Sequence, residues 1–405
     1  MPISHRYNSV RKFNQLLNQS ELQATRSLGG ITMNTSTIGI VAASVLIGLS
    51  AITSPTEAAS FTGLGLPGDS FSTAYDVSAD GSTVVGFSGN GISRMEAFRW
   101  TQTSGIVGLG GYASAAYGVS ADGSVIVGNH IGLNGFEPFR WTESEGIVSL
   151  GFGGSAYDVS ANGSVIVGVF GFPGTSFHRA FRWSQGNVDI FPFPAPSSTA
   201  YGVSADGSVT VGSRIENFGS FQYPSAFIWP DNALPTRLGS GIAAYAVSAD
   251  GSTIVGAGSN SGNPEAFQWG ITSSPNGLGY LPGGSLSEAF GVSADGSTIV
   301  GWSNSAARSQ EAFIWDEANG MRNLSSILTL DFGLDLTGWT LQEARSISND
   351  GLTIVGTGIN PQGNTEAWIA RLDPPKDTPE PAPVFSLLVI GAVMAAVLSK
   401  HKHSV

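Results

Sequence analysis

Few residues of this chain are placed to do chemistry, and most of those recur. Cysteine is absent from all 405 residues, which removes disulfides, thiolate metal sites and a thiol nucleophile. Between residues 61 and 373 the histidines are His130 and His178. They fall in corresponding loops of neighbouring repeats, but two imidazoles without further ligands do not make a metal site, and none is expected. Asp80, Asp122, Asn162, Asp206, Asp250, Asp295 and Asp350 each precede a glycine. Calcium takes about six to eight oxygens from several groups. Each copy here offers one carboxylate in a tight turn, and the third offers only Asn162, so these residues read as turn formers. Glu96, Glu265, Glu311 and Glu366 share another repeated position; they read as a solvated ring, not as the paired carboxylates of glycoside hydrolysis. No nucleophile elbow, zinc-binding helix or phosphate loop occurs, so no catalytic residue and no cofactor is expected.

What remains are departures from the repeat. Trp302 stands outside the register of the other tryptophans and offers a face for stacking on a sugar. Trp339 lies in the longest interruption, 321–342. Arg345 replaces an aromatic residue, with Asp331, Asp335 and Glu343 as its prospective ion-pair partners. Trp302, Trp339 and Arg345 are the candidate binding surface.

The elements that must position these residues are written seven times. VSADGSVIVG (119–128) has counterparts starting at Val77, Val159, Val203, Val247, Val292 and Ile347, with steps of 42, 40, 44, 44, 45 and 55 residues. An alanine and an aromatic open the first strand, and Asp-Gly or Asn-Gly, tolerant of positive φ, makes a tight hairpin. The β-branched run VIVG suits a strand covered on both faces. A third strand carries Phe and Trp, as in EAFRW (96–100), and GIVGLG (105–110) supplies a fourth. Four short strands in about 40 residues are the signature of one propeller blade.

The two ends of the repeat array complement each other. The seventh copy ends EAWIARLDPP with no fourth strand, whereas FTGLGLPGDS (61–70) is a fourth strand without a blade. Pairing 61–66 onto the last blade completes the ring and leaves no free sheet edge. The expected fold is all-β, a seven-bladed β-propeller of four-stranded blades over 59–373; a Gly-rich β-helix is the alternative. Segment 321–342 is expected to cover one rim as a packed loop or extra hairpin, and the blade tryptophans are expected to be core.

The third strand resembles that of the bacterial extracellular HAF-repeat family, in which a Gly-rich hairpin is paired with a short His-Ala-Phe-x-Trp strand. Here it reads Ala97-Phe98-Arg99-Trp100, Pro138-Phe139-Arg140-Trp141, Ala180-Phe181-Arg182-Trp183, Ala226-Phe227-Ile228-Trp229, Ala266-Phe267-Gln268-Trp269 and Ala312-Phe313-Ile314-Trp315. The leading histidine is replaced throughout, and the seventh copy has Trp368 at the Phe position. The resemblance implies an extracellular location and a repeat architecture, and no chemistry.

Residues 1–58 read as a signal-peptide region. The apolar run IGIVAASVLIGL (38–49) is followed by AITSPTEAAS, with Thr56 and Ala58 at the small-residue positions of a signal-peptidase site. Cleavage is expected after Ala58, with Ala59 as the second choice. Translation from Met33 gives a short n-region and from Met1 a long one carrying Arg11, Lys12 and Arg26. At the other end a Pro-rich spacer (374–381) precedes an apolar helix (382–398) and the basic tail 399–405. The helix is about 25 Å long at 1.5 Å per residue, close to a bilayer's hydrocarbon thickness. Pro379-Glu380-Pro381, the helix and the tail resemble in order the PEP-CTERM sorting signal of Gram-negative and cyanobacterial exported proteins. That resemblance implies processing by the membrane protease exosortase, with the helix anchored in the inner membrane transiently; permanent anchoring is the alternative.

Between 61 and 373, 26 acidic residues against 11 arginines and no lysine leave a charge of −15, which repels phosphate backbones and excludes nucleic-acid partners. The expectation is an exported, non-enzymatic, binding or structural propeller at the cell surface or in the extracellular matrix. Exopolysaccharide or a surface protein is its expected partner, with a polysaccharide-active enzyme as the rival. Two buried, facing carboxylates in the central funnel would favour that rival, and a funnel lined by Ala, Val and Gly would count against it.

Overall fold

The computed structural model describes residues 59–372, apart from 92–93, 134, 173–176, 193–196, 219–220, 232, 260–261 and 271–273. Ala58, Pro379-Glu380-Pro381 and the apolar segment 382–398 lie outside these residues. Among the described residues no helix is long and apolar enough to cross a membrane.

Seven antiparallel four-stranded sheets form the blades of a β-propeller. In the first, Phe71–Val77, Thr83–Gly89, Glu96–Thr101 and Gly105–Gly108 follow one another outward from the central channel. In the seventh, Thr340–Ile347, Thr353–Ile359 and Thr365–Arg371 are completed by the N-terminal strand Ser60–Leu64. This strand runs antiparallel to the last one, with Ser60 opposite Arg371 and Leu64 opposite Ala367. The closing strand stops short of the expected 61–66 because the chain turns there. Asp69 N–H donates to the Leu66 carbonyl at 3.1 Å, and Pro67 has no N–H to give a ladder.

The repeated hairpin satisfies itself. In the second copy Ser120 Oγ donates to Asp122 Oδ1 at 2.8 Å and accepts from Val125 N–H, while Ser124 N–H donates to Asp122 Oδ1 at 3.0 Å. The third copy makes the same bonds with Asn162, which accepts from Ser160 Oγ and Ser164 N–H at 3.0 Å each. Gly123, at φ +71°, is needed twice over: a side chain there would also press on Thr83 of the preceding blade. Because Asn162 already does the aspartate's work, Asp122→Asn is expected to change unfolding free energy by less than about 1 kcal/mol, measured by urea denaturation.

The core lies between blades. Phe98, Phe139, Phe181, Phe227, Phe267, Phe313 and, in the seventh blade, Trp368 are fully buried. The expectation that the repeated tryptophans form the core needs correcting: Trp100, Trp141, Trp183, Trp229 and Trp315 are half-buried covers over that core, and only Trp269 of the six is buried. The phenylalanine two residues earlier points inward on a strand of period two, and the tryptophan reaches only the blade's edge. Segment 321–342 also differs from expectation. Gly320–Asn323 is the sixth blade's outer strand, and a helix, Leu324–Leu330, follows it. Asn323 caps that helix by accepting from Ser326 N–H at 3.0 Å. Leu324, Ile327 and Leu328 are buried, with Phe332, Leu334, Leu336 and Trp339 packed beside them.

Candidate functional site

The site grows out of a backbone irregularity. Each innermost strand carries a β-bulge at the same place: between Ala74 and Asp76, Ala116 and Gly118, Ala156 and Asp158, Ala200 and Gly202, Ala244 and Ala246, Ala289 and Gly291, and Ala344 and Ser346. A bulge re-aims the side chains around it. The bulged residue is Tyr75, Tyr117, Tyr157, Tyr201, Tyr245, Phe290 or Arg345, and all seven line the channel. Neighbouring ring centres lie 4.9, 5.4, 5.7, 5.4 and 5.3 Å apart from Tyr75 to Phe290. The Arg345 guanidinium carbon closes the circle, 4.5 Å from the Phe290 ring centre and 5.4 Å from that of Tyr75. Six aromatics and one guanidinium thus make a collar, with cation–π contacts on both sides of the arginine.

On the side of the Asp-Gly turns the collar rests on two carboxylates. Asp76 accepts from Val77 N–H (2.8 Å), from Val119 N–H of the second blade (2.9 Å) and from Ser346 Oγ of the seventh (2.7 Å). Asp158 accepts from Val159 N–H (2.7 Å) and, across to the fourth blade, from Val203 N–H (2.8 Å). Burial pushes the Asp76 carboxyl up to about 6 against these hydrogen bonds. Burial, with the charge of Asp76 added, pushes Asp158 up to about 8. Below them Ala79, Ala121, Ala161, Ala205, Ala249, Ala294 and Asn349 ring the channel. Their backbones bond around the circle, among them Ala79 N–H to Ala121 O (3.1 Å) and Asn349 N–H to Ala79 O (3.0 Å).

Above the collar the lining is uneven. Glu343 accepts from Arg345 Nε at 2.7 Å. Glu288 faces the Tyr245 hydroxyl and the Trp302 Nε1, the latter at 3.5 Å. Its carboxyl is raised, burial outweighing the Trp302 and Tyr245 hydrogen bonds and the Arg345 charge. Gln310 completes this end of a cavity of about 600 Å³. The arrangement offers a stacking face, hydrogen-bond acceptors and a cation held in fixed orientation, which is the equipment of a binding site for a polar, ring-shaped ligand.

Two of the three candidate binding residues therefore come together, Trp302 and Arg345, with Glu343 as the arginine's partner. Trp339 does not join them; it packs edge-on against Phe61 at 5.1 Å on the seventh blade. His130 sits against the Phe139 ring and His178 lies opposite Gly171 in the next blade. Among the described residues no cluster of metal-ligating side chains occurs. Glu96 and Glu265, read as solvated, instead hold turns by accepting from Gly110 and Gly279 N–H at 3.0 and 2.9 Å. The sequence reading missed the collar, Asp76, Asp158 and Glu288. Its signal was there: the residue after the aromatic reads Asp, Gly, Asp, Gly, Ala, Gly and Ser through the seven copies, a departure inside the most regular part of the repeat.

No family model matches this chain, and no curated protein matches it. Solved structures do. The β-propeller domain of the Trilobed protease from Pyrococcus furiosus superposes with a TM-score of 0.52 at 10% identity, over 77% of this chain and 100% of that one. TolB from Acinetobacter baumannii gives 0.42 at 15% identity and 62% of each chain, so this chain spans less than two thirds of that protein. At such identities the likeness to the Pyrococcus domain shows the propeller fold and nothing finer.

Proposed function

We propose that this chain is an exported propeller of the cell surface or extracellular matrix. In this reading exosortase processes it, and it binds exopolysaccharide at the Trp302–Arg345 end of its channel. The observation that carries the binding site is the joining of Trp302, Arg345, Glu343, Glu288 and the Tyr245 hydroxyl in one cavity. A pyranose presents an apolar C–H face to an indole and hydroxyls to carboxylate acceptors, so aromatic faces beside fixed carboxylates suit a sugar unit. Export and sorting rest on the signal-like ends of the sequence.

Co-sedimentation with the producing bacterium's own extracellular polysaccharide tests this. The chain is expected to pellet with the polymer, and Trp302→Ala to weaken binding at least tenfold, about 1.4 kcal/mol. Absence of binding, or binding unchanged by Trp302→Ala and Arg345→Ala alike, overturns the assignment. A second reading has one specific observation in its favour. Glu288, held toward its protonated form, and Glu343, paired with a guanidinium, are two carboxyls in unlike surroundings, the pattern of a general acid and its partner. Asp76 and Asp158 weigh less for such a reading because their oxygens are occupied by backbone N–H groups of adjoining blades. Release of reducing ends, abolished by Glu288→Gln and by Glu343→Gln, would make the protein a polysaccharide-active enzyme.

A further inference from the structure

Three consecutive blades differ from the other four in the hairpin between their second and third strands. In the second, third and fourth blades it reads IGLNGF (131–136), VFGFPGTSF (169–177) and IENFGSFQY (215–223); in the first, fifth, sixth and seventh it reads SGNGISRME, GSNSGNPE, SNSAARSQE and INPQGNTE. The fourth blade pairs Val209–Phe218 with Phe221–Pro230 along ten residues each, and the second pairs Val125–Gly132 with Gly135–Thr142 along eight. The fifth and sixth blades pair only six. At about 3.3 Å per residue the paired strands of the fourth blade run about 13 Å farther than those of the fifth and sixth.

The large side chains described next to these tips are apolar and solvent-exposed. Leu133 is 102% exposed, Phe221 75%, Phe177 57% and Phe136 45%, with Tyr112, 60% exposed, beside the second-blade finger, its carbonyl accepting from Ile131 N–H. No side chain at these described tips carries a charge; Glu216, farther down, is tied to Arg214 and Arg237. Single exposed apolar residues are ordinary, but four on three neighbouring hairpins of one rim, with Tyr112 beside them, mark an interaction surface.

We infer that these fingers seat the propeller on the surface of a lipid bilayer built of neutral headgroups. Separate apolar tips with gaps between them suit a fluid interface, where leucine and aromatic rings settle at headgroup depth. An acidic, lysine-free ring gains nothing from anionic lipid. The occupant is also within reach, and here the inference rests on the reading of the C-terminal segment as membrane-embedded. The ring ends at Leu372, and nine residues, about 28 Å if extended, separate it from the apolar run at 382. These hairpins lie on the face opposite the Asp-Gly turns, the face on which Trp302 and Gln310 stand. Docking would therefore hold the cavity mouth toward the lipid surface.

The absence of cysteine from the chain gives a clean test. The full-length chain carrying Leu133→Cys, Phe221→Cys or Ser124→Cys is labelled with an environment-sensitive dye and reconstituted into phosphatidylcholine vesicles containing nitroxide lipid. Ser124 stands at the other end of the strand that leads to Leu133. Labels at 133 and 221 are expected to be quenched at least threefold more than the label at 124. Adding Phe136→Asp and Phe177→Asp to the Leu133→Cys chain is expected to at least halve its quenching. Equal quenching at 124 and 133, or quenching indifferent to the aspartates, overturns the inference. So does a shielding of the tips that disappears at one chain per vesicle, which would assign the fingers to a second copy. A chain that fails to float with the vesicles at all sinks both the docking and the tether.

Discussion

A chain that begins at Phe71, and so lacks Ser60–Leu64, is expected to lose at least about 5 kcal/mol of unfolding free energy and to associate through the edge it exposes. The estimate follows from what the strand buries. Leu64 is 2% exposed in a cluster with Ala74, Val77, Val84 and Phe98 of the first blade and Val355, Ala367 and Ile369 of the seventh. Phe61 packs on Trp339 and Trp368. Truncating one buried leucine costs about 2–5 kcal/mol, and here Leu64 leaves together with the half-buried Phe61 and a full ladder of backbone bonds. The Leu64 carbonyl also accepts from Ser72 Oγ, which in turn accepts from Ala367 N–H at 3.0 Å, so the strand holds the clip between first and last blades. Removal turns Thr365–Arg371 into an open edge, which invites pairing with another chain. Urea unfolding and light scattering of the shortened chain decide the matter. Leu64→Asp, which keeps the strand and spoils its buried end, should lose about 3 kcal/mol or more by itself. Unchanged midpoints for both variants would mean that the ring does not depend on this closure.

That closure was legible before the structure because it follows from counting strands: half a blade at each end of a repeat array has one economical completion. Blade number and the tight hairpin of Ser78 to Thr83 and its copies were legible for the same reason, since each is local and repeated; which of Phe and Trp on the third strand fills the core was not, because both stand on one face of it. The channel cavity was not. Tyr75 and Asp76 both line the channel because a bulge breaks the alternation of the strand, and alternation is the rule by which a sequence is read. Trp302 and Arg345 could be singled out as departures, but nothing in the spacing tells that the sixth and seventh blades bring them to one opening. Trp339, equally a departure, packs instead on Phe61 of the closing strand, beyond a helix that stands where a loop or hairpin was expected. Departures mark where to look; the three-dimensional closure of the ring decides which of them meet.

The propeller is expected to be most stable near pH 5 and to weaken steadily towards pH 8, against the habit of acidic proteins. The sign follows from the two carboxylates under the collar. Asp76 and Asp158 have folded-state values raised to about 6 and about 8 by burial, above the ordinary carboxylate value of about 4 that they regain on unfolding. Between these limits the folded protein binds more protons than the unfolded chain, so unfolding free energy falls as pH rises. Opposing groups act elsewhere on the scale. Serine N–H and hydroxyl groups hold Asp122, Asp206, Asp250 and Asp295 below their ordinary range. Their contribution is lost only as pH falls below about 4, which leaves the interval from 5 to 8 to the buried pair and to Glu288, raised in the same direction. Asp158→Asn separates the charge from the shape. At pH 5 it should cost about 1–3 kcal/mol, because an amide cannot accept from both Val159 and Val203 N–H. At pH 8 it should be the more stable protein, and its urea midpoint should vary less between the two conditions than that of the parent chain. A parent midpoint that stays level or rises from pH 5 to pH 8 would show that Asp158 is ionised in the folded ring, its two backbone donors outweighing its burial.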